Sequence, residues 1–144
     1  MELTSPLFIN NDGYPEACTC DGKEISPPLE VEGVPKSAKS LVLVLRDPDA
    51  PGGIFIHWIM WNIDPKTRKI KLDSVPEGAV LGKTTNGKIK YVGPCPPGGT
   101  HRYIFTLYAL DTKLYLNQGA TVEQLNAAIS GRVIAQARLL AKYR

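Results

Sequence analysis

The sequence predicts a mostly β protein in which covered strands form a sandwich-like core and a helix lies near the C-terminus. Its 13 Gly and 12 Pro follow no repeat, which is typical of many ordered turns. Three short runs rich in aliphatic and aromatic residues have the length of strands. One capping box late in the chain predicts a helix start. With 144 residues, we expect a single domain over residues 1–144.

The three runs predict the central strands. Residues 41–45 are continuously apolar, which indicates a strand covered on both faces. Residues 54–63 form the second run, and each of these two runs ends in an Asp-Pro turn signal. The third run, residues 101–110, is rich in Tyr, Phe, Ile and Thr, which favour strands. We expect the first two strands to pair.

Clusters of turn-forming residues predict the turns and loops between these strands. Residues 3–9 have the pattern of a short strand, and residues 10–28 are dense in turn formers, which predicts a long ordered loop. Asn86-Gly87 is the signal of a hairpin turn. Residues 93–99 contain three Pro and three Gly, so neither a helix nor a central strand is expected there.

The helical signal lies at the end of the chain. Thr121 and Gln124 have the spacing of a capping box. An apolar stripe follows over residues 122–129, and residues 133–140 have a pattern that predicts a continuation of the helix after a break at Gly131. We therefore expect a C-terminal helix against the β core.

Composition excludes several functional classes. The formal charge of +3 is spread along the chain, so nucleic acid is not an expected partner. No signal peptide and no apolar run long enough to span a membrane are visible. The cysteines are odd in number, and the spacing of Cys18 and Cys20 fits neither a disulfide framework nor a zinc knuckle. These features predict a cytoplasmic protein without disulfides.

Both histidines fall in predicted strands. His57 lies inside the second run and His101 begins the third. Strand alternation predicts that His101 and Tyr103 share one face, and that Phe55, His57, Ile59 and Trp61 share another. A single histidine in a strand is most often structural. If these two faces meet, however, two imidazoles, a phenol and an aromatic wall line one pocket.

Two loops near these strands offer complementary groups. The prolines around Asp47 and Asp49 fix both carboxylates, which would cap backbone donors of a rigid turn or orient an imidazole. Gly98 and Gly99 have no side chain, so an anion could approach their backbone amides closely, as in an anion-binding nest. Arg102 points away from the face of His101, which predicts a structural ion pair with an acid such as Asp49.

Several stretches together resemble the signature blocks of the phosphatidylethanolamine-binding protein family. They are DPDAP at 47–51, His57 in its aromatic strand, and GPCPPGGTHRY at 93–103. CDG at 20–22 and ISPPL at 25–29 resemble the compact bacterial and archaeal branch.

The resemblance implies a fold and a binding site. The fold is an antiparallel β-sandwich with a large central sheet and a smaller sheet, and the pocket takes phosphate-like anions and phospholipid head groups. The implied site residues are Asp47, His57, Gly93, His101 and Tyr103, with Phe55, Pro51 and Pro96 as walls. The ligand would be phosphate or phosphoethanolamine, no cofactor is expected, and a homodimer is an open alternative.

Three functional classes remain open. The leading hypothesis is non-catalytic binding of an anion by protonated imidazoles, favoured by a neighbouring Asp. An alternative is a protein that inhibits a protease or a kinase. A metal-dependent hydrolase would use the two histidines and Asp47 as ligands, but the sequence has no metalloprotease or hydrolase motif. Cys95 is the thiol nearest to His101, and its flanking prolines predict an unreactive thiol.

Overall fold

The computed structural model describes all residues, 1–144. It contains nine β-strands, one α-helix and a short 3-10 helix at Glu16–Cys18. The strands are Glu2–Thr4 (β1), Asp12–Gly13 (β2), Leu29–Glu32 (β3), Ser40–Asp47 (β4), Phe55–Ile63 (β5), Lys69–Ile70 (β6), Val80–Leu81 (β7), His101–Leu110 (β8) and Val133–Tyr143 (β9), and helix α1 is Val122–Ile129.

The strands form a large and a small sheet. The small sheet has the antiparallel order β1-β3-β6. The large sheet has the order β2-β9-β8-β4-β5-β7, in which only the short β2 runs parallel to its neighbour. The predicted pairing of β4 with β5 and the mostly β fold with two sheets are confirmed.

The large sheet is covered on both faces, which explains the continuous apolar runs in the sequence. One core of 21 buried residues lies between the two sheets and includes Leu43, Phe105 and Val31. A second core of nine buried residues lies on the other face, where Leu125 and Ile129 of α1 pack. The capping box at Thr121 and Gln124 starts this helix as predicted.

The predicted helical continuation over residues 133–140 is wrong. This segment belongs to strand β9, which pairs with β8 along almost its whole length. Its inward residues Ala137, Leu139 and Ala141 recur with a period of two. Ala, Leu, Gln and Arg favour helices, but burial against β8 overrides this weak preference.

The first part of the chain also differs in detail from the prediction. The first strand is shorter than predicted and spans Glu2–Thr4. The predicted loop at 10–28 contains the short β2 and the 3-10 helix. The Asn86-Gly87 turn is present, with the Gly87 amide donating to the Thr84 carbonyl at 3.0 Å, but no hairpin strands flank it.

The prediction that the cysteines form no disulfide is wrong. Cys20 and Cys95 are joined, 75 residues apart in sequence, while Cys18 is a buried free thiol. Cys95 is therefore not the unreactive thiol that its proline neighbours predicted. The short spacing of Cys18 and Cys20 gave no indication of this pair, because the bond depends on a loop that lies across the N-terminal segment. Cysteine usage thus no longer supports a reducing compartment.

No helix of the structure is both long and apolar enough to span a membrane.

Candidate functional site

One cavity of about 380 Å³ lies at the ends of β4, β5 and β8. The structure places all eight residues of the predicted site around it: Asp47, Pro51, Phe55, His57, Gly93, Pro96, His101 and Tyr103. Five further residues line the same cavity: Ala50, Asn86, Val92, Cys95 and Pro97. That the cavity binds a ligand stays a prediction.

A β-bulge places His57 in the cavity. Leu45 pairs with Trp58 and the next residue, Arg46, pairs with Ile56, so His57 is the extra residue of β5. The bulge turns its ring toward Tyr103, with 5.4 Å between the ring centroids. Sequence periodicity could not locate this bulge.

The predicted common face of Phe55, His57, Ile59 and Trp61 is therefore wrong beyond the bulge. Phe55 and His57 remain together, with 4.6 Å between their ring centroids. Ile59 and Trp61 instead pack with the helix on the opposite face of the sheet. The predicted face of β8 is confirmed, because Tyr103, Phe105 and Leu107 all pack in the core between the sheets.

His57 is fixed by a backbone carbonyl. Its Nδ1 lies 2.7 Å from the Val92 oxygen, and a carbonyl can only accept, so Nδ1 carries the proton. Burial lowers the pKa of His57, although the Val92 hydrogen bond and the charge of Asp47 oppose this shift. The free ring is therefore neutral at pH 7 and leaves Nε2 as the atom for a ligand.

His101 is fixed by a carboxylate. Its Nδ1 lies 2.7 Å from Oδ2 of Asp47, and both side chains are almost fully buried. The other oxygen of Asp47 accepts the backbone amide of Asp49 at 2.7 Å. Asp47 thus performs both roles considered from the sequence, capping a turn and orienting an imidazole. His101 also leaves Nε2 for a ligand.

The predicted ion pair of Arg102 with Asp49 is confirmed. The guanidinium donates to both carboxylate oxygens at 2.9 Å, and the Arg102 backbone amide donates to Asp49 as well. These hydrogen bonds lower the pKa of Asp49 to about 2. The pair fastens the loop after β4 to the start of β8, which holds Asp47 beside His101.

Tyr103 lines the cavity and packs beside both imidazoles. Its ring is 5.4 Å from that of His57 and 6.3 Å from that of His101, measured between centroids. Burial raises the pKa of Tyr103 well above its ordinary value. Its hydroxyl therefore stays protonated at neutral pH and can donate to an anion.

Gly93 allows the chain segment that lines the cavity at Val92 and Gly93 to pack closely against Cys18 and Glu24. A Cβ at this position would lie 2.7 Å from the Cys18 carbonyl oxygen and 2.8 Å from Cγ of Glu24. The Gly93 amide donates to Oε2 of Glu24 at 3.1 Å. This close contact positions the Val92 carbonyl that orients His57.

The predicted nest at Gly98 and Gly99 is not part of the cavity wall, and both residues are exposed. Two further groups of the site, the Val92 carbonyl and the Asn86 side chain, were missed, because no sequence motif identifies them. The chain forms no group of three or more His, Cys, Asp or Glu side chains suited to hold a metal ion. The protease or kinase partner and the homodimer stay predictions.

Comparisons with known proteins agree with this fold. A UPF0098 protein of Methanothermobacter thermautotrophicus is 44% identical over 149 residues, which cover 100% of this chain and 99% of that protein. The crystal structure of a phosphatidylethanolamine-binding protein homologue from Chlamydia trachomatis superposes with a TM-score of 0.96 at 42% identity, covering 99% of this chain and 96% of that one. E. coli YbcL, described as a member of the mammalian family, gives a TM-score of 0.92 at 28% identity, covering 99% and 97% of the two chains. A sequence model described as phosphatidylethanolamine-binding protein matches residues 4–144. The chain belongs to the phosphatidylethanolamine-binding protein family.

Proposed function

We propose that this protein binds a small phosphorylated anion in the cavity without chemical turnover. The observation that carries the proposal is the common arrangement of His57 and His101. In each ring Nδ1 is engaged by an oxygen of the protein, which leaves Nε2 for a ligand. The ring of Tyr103 packs against both imidazoles, and its hydroxyl supplies a third donor.

Binding of an anion at these atoms requires protons. A neutral imidazole whose Nδ1 carries the hydrogen presents a lone pair at Nε2, which repels an anionic oxygen. Protonation converts Nε2 into a charge-assisted donor. In His101 the Asp47 carboxylate accepts from Nδ1, so Nε2 is again the atom that must carry a proton toward the ligand. The ligand therefore enters together with protons that the rings take up at Nε2.

The walls favour a ligand larger than inorganic phosphate. Phe55, Pro51 and Pro96 present apolar surface beside the polar base. A cavity of about 380 Å³ exceeds the volume of a phosphate group and has room for a short organic substituent. Phosphoethanolamine fits this cavity, because its phosphate can bind the polar side chains and its ethyl group can contact the apolar walls.

Binding is favoured over catalysis by what surrounds the histidines. Cys95, the cysteine that lines the cavity, is held in a disulfide and is no thiolate nucleophile. Asp47 already accepts two hydrogen bonds and is committed to orientation. No second carboxylate lines the cavity to act as a general base.

Calorimetric titration with phosphate and phosphoethanolamine tests this proposal. His101→Ala should weaken binding of both by about 10-fold to 150-fold, because a charge-assisted donor is worth ~1.5 to 3 kcal/mol. The matched control is Arg132→Ala, which removes an exposed cation whose partner is Asp111. Affinity unchanged in the His101 variant, or lowered equally in the control, contradicts the proposal.

A further inference from the structure

The segment Cys95 to Thr100, whose first three residues line the cavity, has one cross-link to the rest of the protein and no hydrogen bond to it. None of its backbone groups takes part in the hydrogen bonds outside the strands, and the strand ladder begins again at His101. The disulfide between Cys95 and Cys20 is the bond that holds it. The buried Pro96 and the exposed Pro97, which line the cavity, directly follow this attachment.

The residues before this segment are fastened independently. The Cys20 amide donates to the Pro94 carbonyl at 3.1 Å. The Gly93 amide donates to Glu24, and the Tyr91 hydroxyl donates to the Cys18 carbonyl at 2.6 Å. Opening the disulfide would therefore release the wall after Pro94 without detaching the neighbouring chain.

The two ends of the disulfide differ in exposure. Cys95 is an exposed residue at the cavity, whereas Cys20 is half-buried. A thiolate that approaches from solvent thus reaches the sulfur of Cys95 more easily. Exposed disulfides are the class that undergoes exchange and regulation.

We propose that Cys95 is a thiol-exchange site that controls ligand binding, an inference that rests on the proposed function of the cavity. A low-molecular-weight thiol attacks Sγ of Cys95 as its thiolate. A new S–S bond forms between them, the Cys20–Cys95 bond breaks, and Cys20 leaves as a thiolate that takes a proton from water. A second thiolate can then attack the mixed disulfide, which yields free Cys95 and the oxidised small molecule.

Exchange changes the cavity in two ways. The mixed disulfide places a new group at a residue that lines the cavity. The released segment from Cys95 to Thr100 no longer holds Pro96 against the ligand. Both effects weaken the binding of a phosphorylated ligand.

The third cysteine provides an internal contrast. Cys18 is fully buried in the core between the sheets, and burial raises its pKa to about 11. It is therefore a poor nucleophile and is inaccessible to a soluble thiol. Cys18→Ala is the matched control, since it leaves the disulfide intact.

The experiment treats the oxidised protein with glutathione and locates the adduct by peptide mass spectrometry. Phosphoethanolamine affinity is then measured for the oxidised, glutathione-treated, and reduced and alkylated forms. We expect an adduct on Cys95 rather than Cys20 and at least about a 10-fold loss of affinity, the loss expected when the apolar contact of one side chain such as Pro96 is removed. Cys18→Ala should behave like the parent protein, and Cys20→Ser/Cys95→Ser should resemble the reduced form.

An adduct on Cys20, no adduct, or equal affinity of the three forms overturns the inference. Failure of the oxidised protein to bind any phosphorylated ligand instead contradicts the proposed function. In that case, NMR order parameters of Gly98 and Gly99 still decide the inference. They should fall on reduction if the disulfide fastens the segment from Cys95 to Thr100, and unchanged values overturn it.

Discussion

Oδ2 of Asp47 lies 2.7 Å from Nδ1 of His101, in a pair that is almost fully buried. The other carboxylate oxygen caps the Asp49 amide, so the direction of the carboxylate is fixed before any ligand arrives. The pair determines which nitrogen of His101 is presented to the cavity. Its charge also compensates the imidazolium that anion binding requires.

Asp47→Asn should weaken phosphate binding by about 10-fold or more, because the carboxylate that accepts from Nδ1 of His101 and orients the ring is lost. The chain should still fold, since an amide oxygen can accept the Asp49 amide. Titration calorimetry measures the affinity. Asp111→Asn is the matched control: it removes an exposed carboxylate that pairs with Arg132 and does not line the cavity, and should leave affinity within about 3-fold of the parent. Equal losses in both variants would argue against a specific role of Asp47.

Sulfate affinity should rise as the pH falls from about 8.5 to 5.5, a range around the ordinary histidine pKa of ~6.5. The pKa of free His57 is lowered, so this ring is neutral at pH 7 and must take up a proton to bind an anion. Uptake of one proton makes affinity fall about 10-fold per pH unit above the pKa of the free protein, and the curve levels off below that pKa.

Sulfate is the appropriate probe because it stays fully ionised throughout this range, so the pH dependence belongs to the protein. Calorimetry in two buffers of different ionisation enthalpy counts the protons taken up. A flat profile with no proton uptake would mean that backbone amides or neutral rings hold the anion.

Gly93→Ala should destabilise the protein by ~1 to 3 kcal/mol, because its Cβ would collide with the Cys18 carbonyl at 2.7 Å. The displaced wall should also weaken phosphate binding, since the Val92 carbonyl orients His57. Gly98→Ala is the control, because a Cβ there meets nothing within 4 Å. Urea denaturation and phosphate titration measure the two effects, and similar behaviour of both variants would contradict this role of Gly93.

The sequence predicts the central strands well because burial dominates their composition. The bounds of β8 match the aromatic run at 101–110, and β4 extends the apolar run at 41–45 by one residue at its start and two at its end. Residues 133–140 of β9 have a helical pattern because Ala, Leu, Gln and Arg in this stretch favour helices, while the β8 residues that pair with them are distant in sequence.

The residues around the cavity were identified by resemblance, whereas its construction required the structure. The bulge at His57 is an irregularity in the pairing with β4 and has no signal in a single strand. The Cys20–Cys95 bond joins two loops 75 residues apart, so cysteine spacing could not predict it. The Val92 carbonyl is a backbone group, and any residue type could supply it.

The most direct test of the central claim is a nitrogen NMR spectrum of the protein labelled with ¹⁵N-histidine, recorded with and without phosphoethanolamine. The chain contains only two histidines, so each ring nitrogen can be assigned by comparing His57→Gln and His101→Gln variants. In the free protein near pH 7.5, we expect protonated Nδ1 and unprotonated Nε2 for His57. On addition of phosphoethanolamine, the Nε2 resonances of both rings should shift toward the protonated, hydrogen-bonded position. Ring resonances that stay unchanged at saturating phosphoethanolamine would contradict the assignment of these two imidazoles as the anion-binding groups.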